Sequence, residues 1–255
     1  MKLFSKMLRD EWVKLVAFFI FMGAVAVVQT VFWPKIRVML PSILEVVPQK
    51  LKWLIGGMQT EGFVYFTITQ QMMKNIGMFG SALAVILGAS AVAKEVEAGT
   101  MELLLAQPIS RKRVLLEKYL FNLGVLFIPV VVSTLLTYPA ALIIGESISL
   151  TGLLIAGVYG FCIVAVVYSF TFFLGVLIDT QMQVLVAGLG FCLLMFILTV
   201  FKSTGFLSVY GYMGLDEMRP IFALGAVPIV EMLIFGLLCA AFFAASWWRF
   251  SKKTI

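Results

Sequence analysis

Residues 152–178 read GLLIAGVYGFCIVAVVYSFTFFLGVLI, an apolar run that contains no charged side chain. A helix needs about 20 predominantly apolar residues to cross the hydrocarbon core of a bilayer. A helix at the surface of a soluble protein keeps one polar face towards water, and this run has none. The run therefore predicts a helix that crosses a membrane.

Further apolar runs lie on both sides of it, at about 13–33, 70–93, 119–144, 184–201 and 225–248. Charged residues make up only 13% of the 255 residues, whereas a soluble domain usually carries about 25%. Six spans leave little chain for a soluble catalytic domain, which takes roughly 100 residues. We therefore predict an all-α, polytopic membrane protein in which residues 1–255 form one transmembrane domain.

Two amphipathic segments accompany the spans. Residues 2–12, KLFSKMLRDEW, place apolar and charged side chains on opposite helical faces. This pattern is typical of a helix lying in the membrane interface, the alternative being a frayed tail. Pro34 is expected to end the first span, and residues 34–62 mix charged and apolar residues with further prolines and glycines. We expect an N-terminal interfacial helix over residues 1–12 and an outer amphipathic segment, made of one or two surface helices, over residues 34–62.

The basic residues predict the orientation. Six spans place both chain ends on one side, and of the 19 Lys and Arg residues 12 fall on that side and seven on the other. Basic residues accumulate on the cytoplasmic side of membrane proteins, so both termini are expected to be cytoplasmic and the protein to lie in the cytoplasmic membrane. The net charge of +6 comes from residues beside the apolar runs. We therefore expect contact with the lipid bilayer and no binding of nucleic acid.

Several kinds of chemistry are excluded by the composition. The chain contains no histidine, which removes Ser-His and Cys-His catalysis and HExxH zinc sites. Cys162, Cys192 and Cys239 lie in separate apolar runs and are expected to be buried thiols rather than metal ligands. No G-x-x-x-x-G-K-[ST] sequence occurs, so the loop that cradles ATP phosphates is missing. We expect no catalytic residue, no metal site and no cofactor bound by this chain.

The connection between the second and third spans, AKEVEAGTMELLLAQPISRKRVLLEKYL over residues 93–120, is the most informative polar stretch. Acidic residues surround Gly99, an apolar patch of Met101 and residues 103–105 follows, and Pro108 interrupts the chain. Ser110 is expected to cap a helix that begins at Arg111 and continues into the third span. An apolar patch rimmed by charge in a loop that faces water indicates a docking surface. The alternative, that the acidic residues only solvate a loop, does not explain the leucines.

This stretch resembles the signature of ABC-2 type permeases, approximately E-x-E-x-G-T-L-E-L-L-L-x-x-P-[IV]-S-R followed by a basic, leucine-rich stretch ending in lysine. The matching residues are Glu95, Glu97, Gly99, Thr100, Glu102, Leu103, Leu104, Leu105, Pro108, Ile109, Ser110, Arg111 and Lys118. Met101 stands where leucine is commoner. The six spans and the basic tail support the resemblance at lower specificity.

The resemblance implies that residues 94–118, the coupling segment, bind a separate ABC ATPase on the cytoplasmic side through a coupling helix. The implied coupling residues are Glu95, Glu97, Gly99, Thr100, Glu102, Leu103, Leu104, Leu105, Pro108, Ser110 and Arg111. It also implies two ATPase copies, which bind ATP and Mg, and a second permease subunit that is identical or paralogous. The chain is then expected to be the permease subunit of an exporter driven by ATP hydrolysis on its partner, with the glutamates pairing with basic residues of the ATPase.

Ionisable and amide side chains inside the spans are further candidates. Glu231 is expected about two turns inside the outer end of the sixth span, with Lys74 as its candidate partner or, alternatively, snorkelling to the outer interface. Asn75 and Asn122, together with Gln70, Gln71, Ser133, Thr134 and Thr137, either line a cavity or form interhelical hydrogen bonds. A secondary transporter or channel is the alternative function. Such proteins usually carry several buried charges or broken helices at mid-membrane, and this sequence offers little beyond Glu231.

Overall fold

The computed structural model describes residues 2–46, 58, 62–101, 110–201 and 203–252. The regular elements of this part of the chain are all helical. The long helices are α1 (Lys2–Val46), α2 (Gly62–Glu97), α3 (Arg111–Ile143), α4 (Leu150–Leu177), α5 (Gln181–Val200), α6 (Leu215–Leu224) and α7 (Ile229–Lys252). All of them except α6 are long and apolar enough to cross a membrane, which confirms the predicted all-α, six-span architecture.

Helix α4 lies at the centre of the bundle. It packs against α2, α3, α5 and α7, while α1 packs mainly along α3. Close approach to α2 depends on Gly88, because a Cβ there would lie 2.8 Å from Thr171 Cβ and 2.9 Å from Phe172 N. Small residues allow membrane helices to approach each other in this way. Helices α2 and α4 therefore form the packed middle of the molecule.

Helix α1 is longer than predicted. It continues from Lys2 to Val46 and includes both Pro34 and Pro41. The predictions that the first span ends at Pro34 and that the following residues form a surface helix are therefore wrong for residues 34–46. Residues 2–12 are the first part of α1 rather than a separate helix. The rest of the predicted outer segment, apart from Met58 and Gly62, lies outside the described residues.

Packing explains why α1 passes through its prolines. Trp33 is 1% exposed, its ring lies 4.9 Å from that of Phe66, and its indole nitrogen donates a hydrogen bond to Glu146 Oε1 (2.9 Å). Arg37, one turn further on, pairs with the same carboxylate oxygen at 3.3 Å. Neighbouring helices allow a proline inside a membrane helix because they hold the surrounding turns in place.

Helix α2 changes its winding along its length. Residues Ile68–Gly80 form a π-helix, Ser81–Ala91 an α-helix, and Ala93–Glu97 a last short turn. Wide π-turns are uncommon and occur often at functional sites. The segment between the fifth and sixth spans contains α6, which ends at Gly225 with a positive φ of 65°. Glycine adopts this left-handed conformation at helix ends without a steric penalty.

The start of α1 and the end of α7 lie on the same side of the bundle, because the six membrane-length helices alternate in direction. We call this the terminal side. It holds the start of α1, the end of α2, the starts of α3 and α5 and the end of α7, and the contacts of Lys14 with Ser90 and of Glu97 with Gln181 join these ends. The opposite side holds Trp33, Glu146 and α6.

Candidate functional site

The first part of the coupling segment, residues 94–101, lies on the terminal side at the end of α2. The backbone departs from helical geometry at Val92 (φ −125°, ψ −52°) before the short turn Ala93–Glu97. Gly99 then adopts a φ of 67°, a conformation that glycine reaches at no steric cost. Thr100 Oγ1 donates a hydrogen bond to Glu95 O (3.3 Å) across this bend. The chain therefore bends at Gly99.

Met101 contradicts the prediction of an exposed apolar patch at its position. Its side chain is 1% exposed and belongs to the main buried cluster, which also includes Leu87, Val114 and Val176. Burial after the bend removes the apolar side chain from water, which favours the folded state. The other members of the predicted patch and its neighbours, Glu102, Leu103, Leu104, Leu105 and Pro108, lie outside the described residues.

Glu95 joins the coupling segment to α3 through a largely buried ion pair. Its Oε1 lies 2.8 Å from Lys118 Nζ, and the two side chains are 21% and 7% exposed, respectively. The same ammonium group donates a hydrogen bond to Ala91 O (2.9 Å). Buried charges need such additional polar partners, since removal from water otherwise costs more than the attraction returns. Glu95 Oε2 is buried and has no hydrogen-bond partner in this part of the chain.

A polar layer continues from this ion pair into the bundle. Lys14 Nζ of α1 donates a hydrogen bond to Ser90 Oγ (3.0 Å), and Ser90 Oγ donates one to Leu87 O (3.3 Å). Asn122 Nδ2 of α3 donates to the same carbonyl at 3.5 Å. Asn122 therefore forms an interhelical hydrogen bond, the second of the two roles that the sequence left open.

Glu97 joins the coupling segment to α5. Its Oε2 accepts a hydrogen bond from the backbone N–H of Gln181, the first residue of α5, at 2.8 Å. Thr180, which precedes this helix, makes no capping hydrogen bond with its side chain. Every helix start leaves free N–H groups, and a carboxylate is favoured there by the helix dipole. The sequence argument assigned Glu95 and Glu97 to an ATPase and did not foresee these contacts within the chain.

Ser110 caps α3, as predicted. Its Oγ accepts a hydrogen bond from Arg113 N (3.3 Å), and the helix begins at Arg111, whose side chain is exposed. Arg113 also pairs with Glu117 one turn later, at 2.6 Å. The end of the coupling segment is therefore the first turn of a continuous span, so a displacement of this turn moves the span with it.

A second polar network lies deeper in the bundle and has Gln71 of α2 at its centre. Gln71 Oε1 accepts hydrogen bonds from Gln29 Nε2 and Asn75 Nδ2, both at 2.9 Å. Gln71 Nε2 donates to Thr134 Oγ1 (3.2 Å) and to Ser133 Oγ (3.3 Å) of α3. The network connects α1, α2 and α3.

Asn75 adds a direct contact with α1, because its Nδ2 also donates to Met22 O at 3.0 Å. Gln71, Asn75, Ser133 and Thr134 are all almost completely buried. For these four residues the structure shows interhelical hydrogen bonds rather than the wall of a cavity. Thr137 Oγ1 is buried without a hydrogen-bond partner among the described residues.

Lys74 and Glu231 do not pair with each other. Lys74 is exposed and donates a hydrogen bond to Gln70 Oε1 on its own helix (3.0 Å). Glu231 lies in the first turn of α7, so the prediction that it sits two turns inside the sixth span is wrong; the helix begins four residues later than expected. The pKa of Glu217 on α6 is raised above the usual 4.5, firstly by burial of Glu217 and secondly by the charge of Glu231. Glu231 is therefore a boundary residue close to α6.

A groove of about 410 Å³ opens between α2 and α5, away from both polar networks. Its walls are almost entirely apolar and include Met73, Met78 and Ala82 from α2 and Leu189, Cys192 and Phe196 from α5. Tyr210 and Met213, from the segment before α6, also line it. The Tyr210 hydroxyl donates a hydrogen bond to Ser81 Oγ (2.9 Å), which fixes this segment to α2.

The family model described as ABC-2 family transporter protein matches residues 2–255. The chain belongs to the ABC-2 transporter family. It is therefore a multi-pass membrane protein and the permease component of an ABC transporter, as the signature around Gly99 indicated. No curated protein matches the chain.

In this ABC-2 permease the described coupling residues lie at the two ends of the coupling segment. Glu95 and Glu97 lie on the same short turn and contact different helices, α3 and α5. Gly99 and Thr100 form the bend that follows, and Ser110 and Arg111 start α3. The structure thus brings the two described ends of the coupling segment to the same side of the bundle.

Sequence reasoning missed several residues of the ABC-2 permease that carry these contacts. Gln29 is visible as an amide inside an apolar run and was a signal for the Gln71 network. Gln181 gave no signal, because it takes part through its backbone N–H. The groove gave no signal in the sequence either. An apolar residue gives the same pattern whether its side chain faces lipid, a neighbouring helix or a cavity.

Proposed function

We propose that this permease is the transmembrane subunit of an ABC exporter, which moves its substrate out across the cytoplasmic membrane while a separate ATPase hydrolyses ATP. The observation that carries the proposal is the attachment of the coupling segment to two different spans. Glu95 holds its start to α3 through Lys118, and Glu97 holds it to α5 through Gln181. A segment attached in this way transmits a push at the membrane surface to helices inside the bilayer.

The expected assembly contains two ATPase subunits and a second permease, identical or paralogous. In this arrangement ATP and Mg bind to the ATPase, because the chain has no phosphate-cradling loop. The terminal side faces the cytoplasm, which agrees with the excess of Lys and Arg there. The ATPase would contact the residues between Thr100 and Ser110, where the sequence places the leucine patch.

The groove between α2 and α5 is the proposed site of the substrate. Its apolar walls suit the hydrocarbon part of an amphipathic molecule, since burial of apolar surface is the main favourable contribution that such walls supply. Ala82 lies in this groove. Replacement by tryptophan is expected to fill part of the volume and to lower transport without preventing binding of the ATPase.

The proposal is tested by co-purification of the detergent-solubilised chain with the ABC ATPase encoded beside it. Leu104→Arg places a charge in the predicted docking patch and is expected to abolish co-purification. Leu177→Arg is the matched control: Leu177 is 39% exposed, lies at the end of α4 on the terminal side, and is outside the coupling segment. This variant should retain the ATPase.

Two results contradict the proposal. If no ATPase is captured by the wild-type chain under conditions in which the chain remains folded, the exporter assignment fails and a secondary transporter becomes the better hypothesis. If Leu104→Arg retains the ATPase as well as Leu177→Arg does, the docking site lies elsewhere on the chain.

A further inference from the structure

Helix α5 has its buried residues in one half, while its other half contacts Phe170 through Phe191 and Ser208 through Thr199. Of its most apolar 18 residues 11% are buried, against 78% in α2. Its two buried residues, Val184 and Gly188, both lie in the half nearer the terminal side. Beyond Gly188 the helix lines the groove with Leu189, Cys192 and Phe196. The wall of the groove is therefore the less buried half of α5.

Gly188 is the point at which α5 rests on the bundle. A Cβ at this position would lie 2.9 Å from Val85 Cγ1 and 3.1 Å from Thr171 Cγ2, which means that the backbone itself touches α2 and α4. At Gly190, two residues further on, a Cβ would meet nothing within 4 Å. The tightest backbone contact of α5 thus lies directly before the part of the helix that lines the groove.

Glu97 contacts the first turn of α5 through the 2.8 Å hydrogen bond from Gln181 N. Gln181 and Phe196 lie on either side of Gly188, about 10 Å and about 12 Å along the helix axis at 1.5 Å per residue. The two arms are of similar length. A displacement of the first turn of α5 therefore produces an opposite displacement of similar size at the groove wall.

The short turn Ala93–Glu97 also contacts α3, because Glu95 pairs with Lys118 of that helix. The backbone irregularity at Val92 separates this turn from the rest of α2. The turn is therefore anchored to α3 on one face and bonded to the end of α5 on another, so a change in its tilt changes the position of Gln181 relative to α3.

We propose that Glu97 is a positioning residue that transmits movement of the coupling segment to α5 and so opens or narrows the groove. Gly188 serves as the pivot. This inference rests on the proposed function, because the movement comes from an ATPase bound to the coupling segment. It assigns a specific carboxylate, a specific backbone donor and a specific helix to the step between the membrane surface and the substrate site.

The test uses Gln181→Pro, which removes the donor and leaves the Glu97 side chain intact. Proline lacks an N–H group and is well tolerated at the first position of a helix. The preceding residue, Thr180, is already extended (φ −103°, ψ 119°), as a residue before proline prefers. Leu150→Pro is the matched control, because Leu150 is the first residue of α4, and Ser149 before it is extended too (φ −69°, ψ 120°) and caps the helix through Gly152 N.

The measurement is the alkylation rate of Cys192, a groove residue, by a membrane-permeant maleimide. The permease, with Cys162 and Cys239 replaced by alanine, is reconstituted with its ATPase in lipid nanodiscs and compared without nucleotide and with trapped ATP. We expect ATP to change the rate by about fivefold or more in the parent and in Leu150→Pro, the lower end of typical coupling between sites. In Gln181→Pro the rate should become insensitive to ATP while the ATPase stays bound.

Glu97→Ala provides a second variant, with Glu45→Ala, which removes an exposed carboxylate on the opposite side, as its control. Loss of the ATP response with retention of the ATPase supports the proposal, and Glu97→Gln, which keeps an acceptor oxygen, should restore part of the response. If both Gln181→Pro and Glu97→Ala respond to ATP like the parent, the proposal is overturned. Release of the ATPase by Glu97→Ala also overturns it, because Glu97 then acts as a docking residue. Failure of the parent to bind the ATPase refutes the proposed function itself.

Discussion

Helices α1, α2 and α3 are connected by buried side-chain hydrogen bonds, whereas α5 and α7 contact the bundle mainly through apolar side chains. Of the most apolar 18 residues of α2, 78% are buried, while in α5 and in α7 only 11% are. Gln71 alone connects α2 with Gln29 of α1 and with Ser133 and Thr134 of α3. Hydrogen bonds are directional and therefore fix the relative positions of α1, α2 and α3. Helices α5 and α7 lack most of these bonds, so a slide or tilt costs them little contact energy.

This difference suits a transporter. A hydrogen bond between membrane helices holds one relative position, because a shift leaves a donor or acceptor without a partner in a medium that offers none. Apolar contacts lose little when helices move, since lipid chains replace them. The three polar helices therefore form a frame, and α5, together with α7, forms the part that can change position relative to it.

The largest effect on stability is expected where a buried charge between α2 and α3 loses its partner. Lys118→Met leaves Glu95 partly buried without its ion pair, and such a loss typically costs about 3–5 kcal/mol in the free energy of unfolding. Thermal melting of the purified protein in detergent measures the change. Arg113→Met is the control, because its pair with Glu117 is exposed and exposed pairs contribute about 1 kcal/mol or less. Equal melting temperatures for the two variants would mean that the Lys118 pair does not hold the frame together.

A smaller effect is expected from a methyl group at the tightest helix contact. Gly88→Ala forces apart α2 and α4, because a Cβ would lie 2.9 Å from Phe172 N, a backbone atom that cannot rotate away. Overpacking of this kind costs about 1–3 kcal/mol, which should lower the melting temperature. The same change at Gly190 in α5 meets open space and should leave the melting temperature unchanged. An unaffected Gly88→Ala protein would show that the frame is as adaptable as α5.

A comparable but smaller loss is expected from the centre of the deep polar network. Gln71→Leu removes the hydrogen bonds with α1 and α3, and the expected cost is about 1–2 kcal/mol, since single interhelical hydrogen bonds in membranes contribute about 0.6 kcal/mol on average. Gln70→Leu, at the neighbouring position, removes only the contact with exposed Lys74 and should have almost no effect. The comparison is made by chemical denaturation in mixed micelles. A Gln70→Leu variant that loses as much stability as Gln71→Leu would contradict the role of the network.

The smallest effect is expected on the side opposite the terminal side, between α6 and α7. Burial and the charge of Glu231 raise the pKa of Glu217 above 4.5, so the ionised form is disfavoured in the folded protein. Stability from this group is therefore present at acidic pH and is lost as the pH rises through the raised pKa. Glu217→Gln should slightly raise the melting temperature at neutral pH and leave it unchanged below pH 4.5. A wild-type protein that is stabilised by rising pH in this range, relative to Glu217→Gln, would contradict the direction of the shift.

The sequence predicted those features that depend on length or on local chemistry. Six spans follow from six long apolar runs, and the cap at Ser110 follows from its place directly before the helix that begins at Arg111. The end of α1 could not be predicted, because proline ends helices in water but Trp33 and Glu146, far apart in the chain, hold this one together. The prediction that Met101 is exposed was wrong for a similar reason, because its burial depends on the core beneath it.

The candidate site was predicted in part. The signature around Gly99 indicated the family, which the match over residues 2–255 confirms, while the coupling role of residues 94–118 stays a prediction. The partners of Glu95 and Glu97 depend on which helices meet at the terminal side, and one of the two partners is a backbone group. The groove depends on which apolar faces stay apart. No pattern in a single sequence distinguishes those faces from lipid-facing ones.

The short length of α5 has a consequence for the surrounding lipid. With 20 residues it is about 30 Å long, which only just equals the hydrocarbon thickness of a typical bilayer. The span in α1 has 32 residues and the one in α2 has 36, so these helices adapt to a thicker bilayer by changing their tilt. Helix α5 has no additional length with which to adapt, so hydrophobic mismatch affects it before the longer helices. Acyl-chain length in the host membrane therefore bears directly on the wall of the groove.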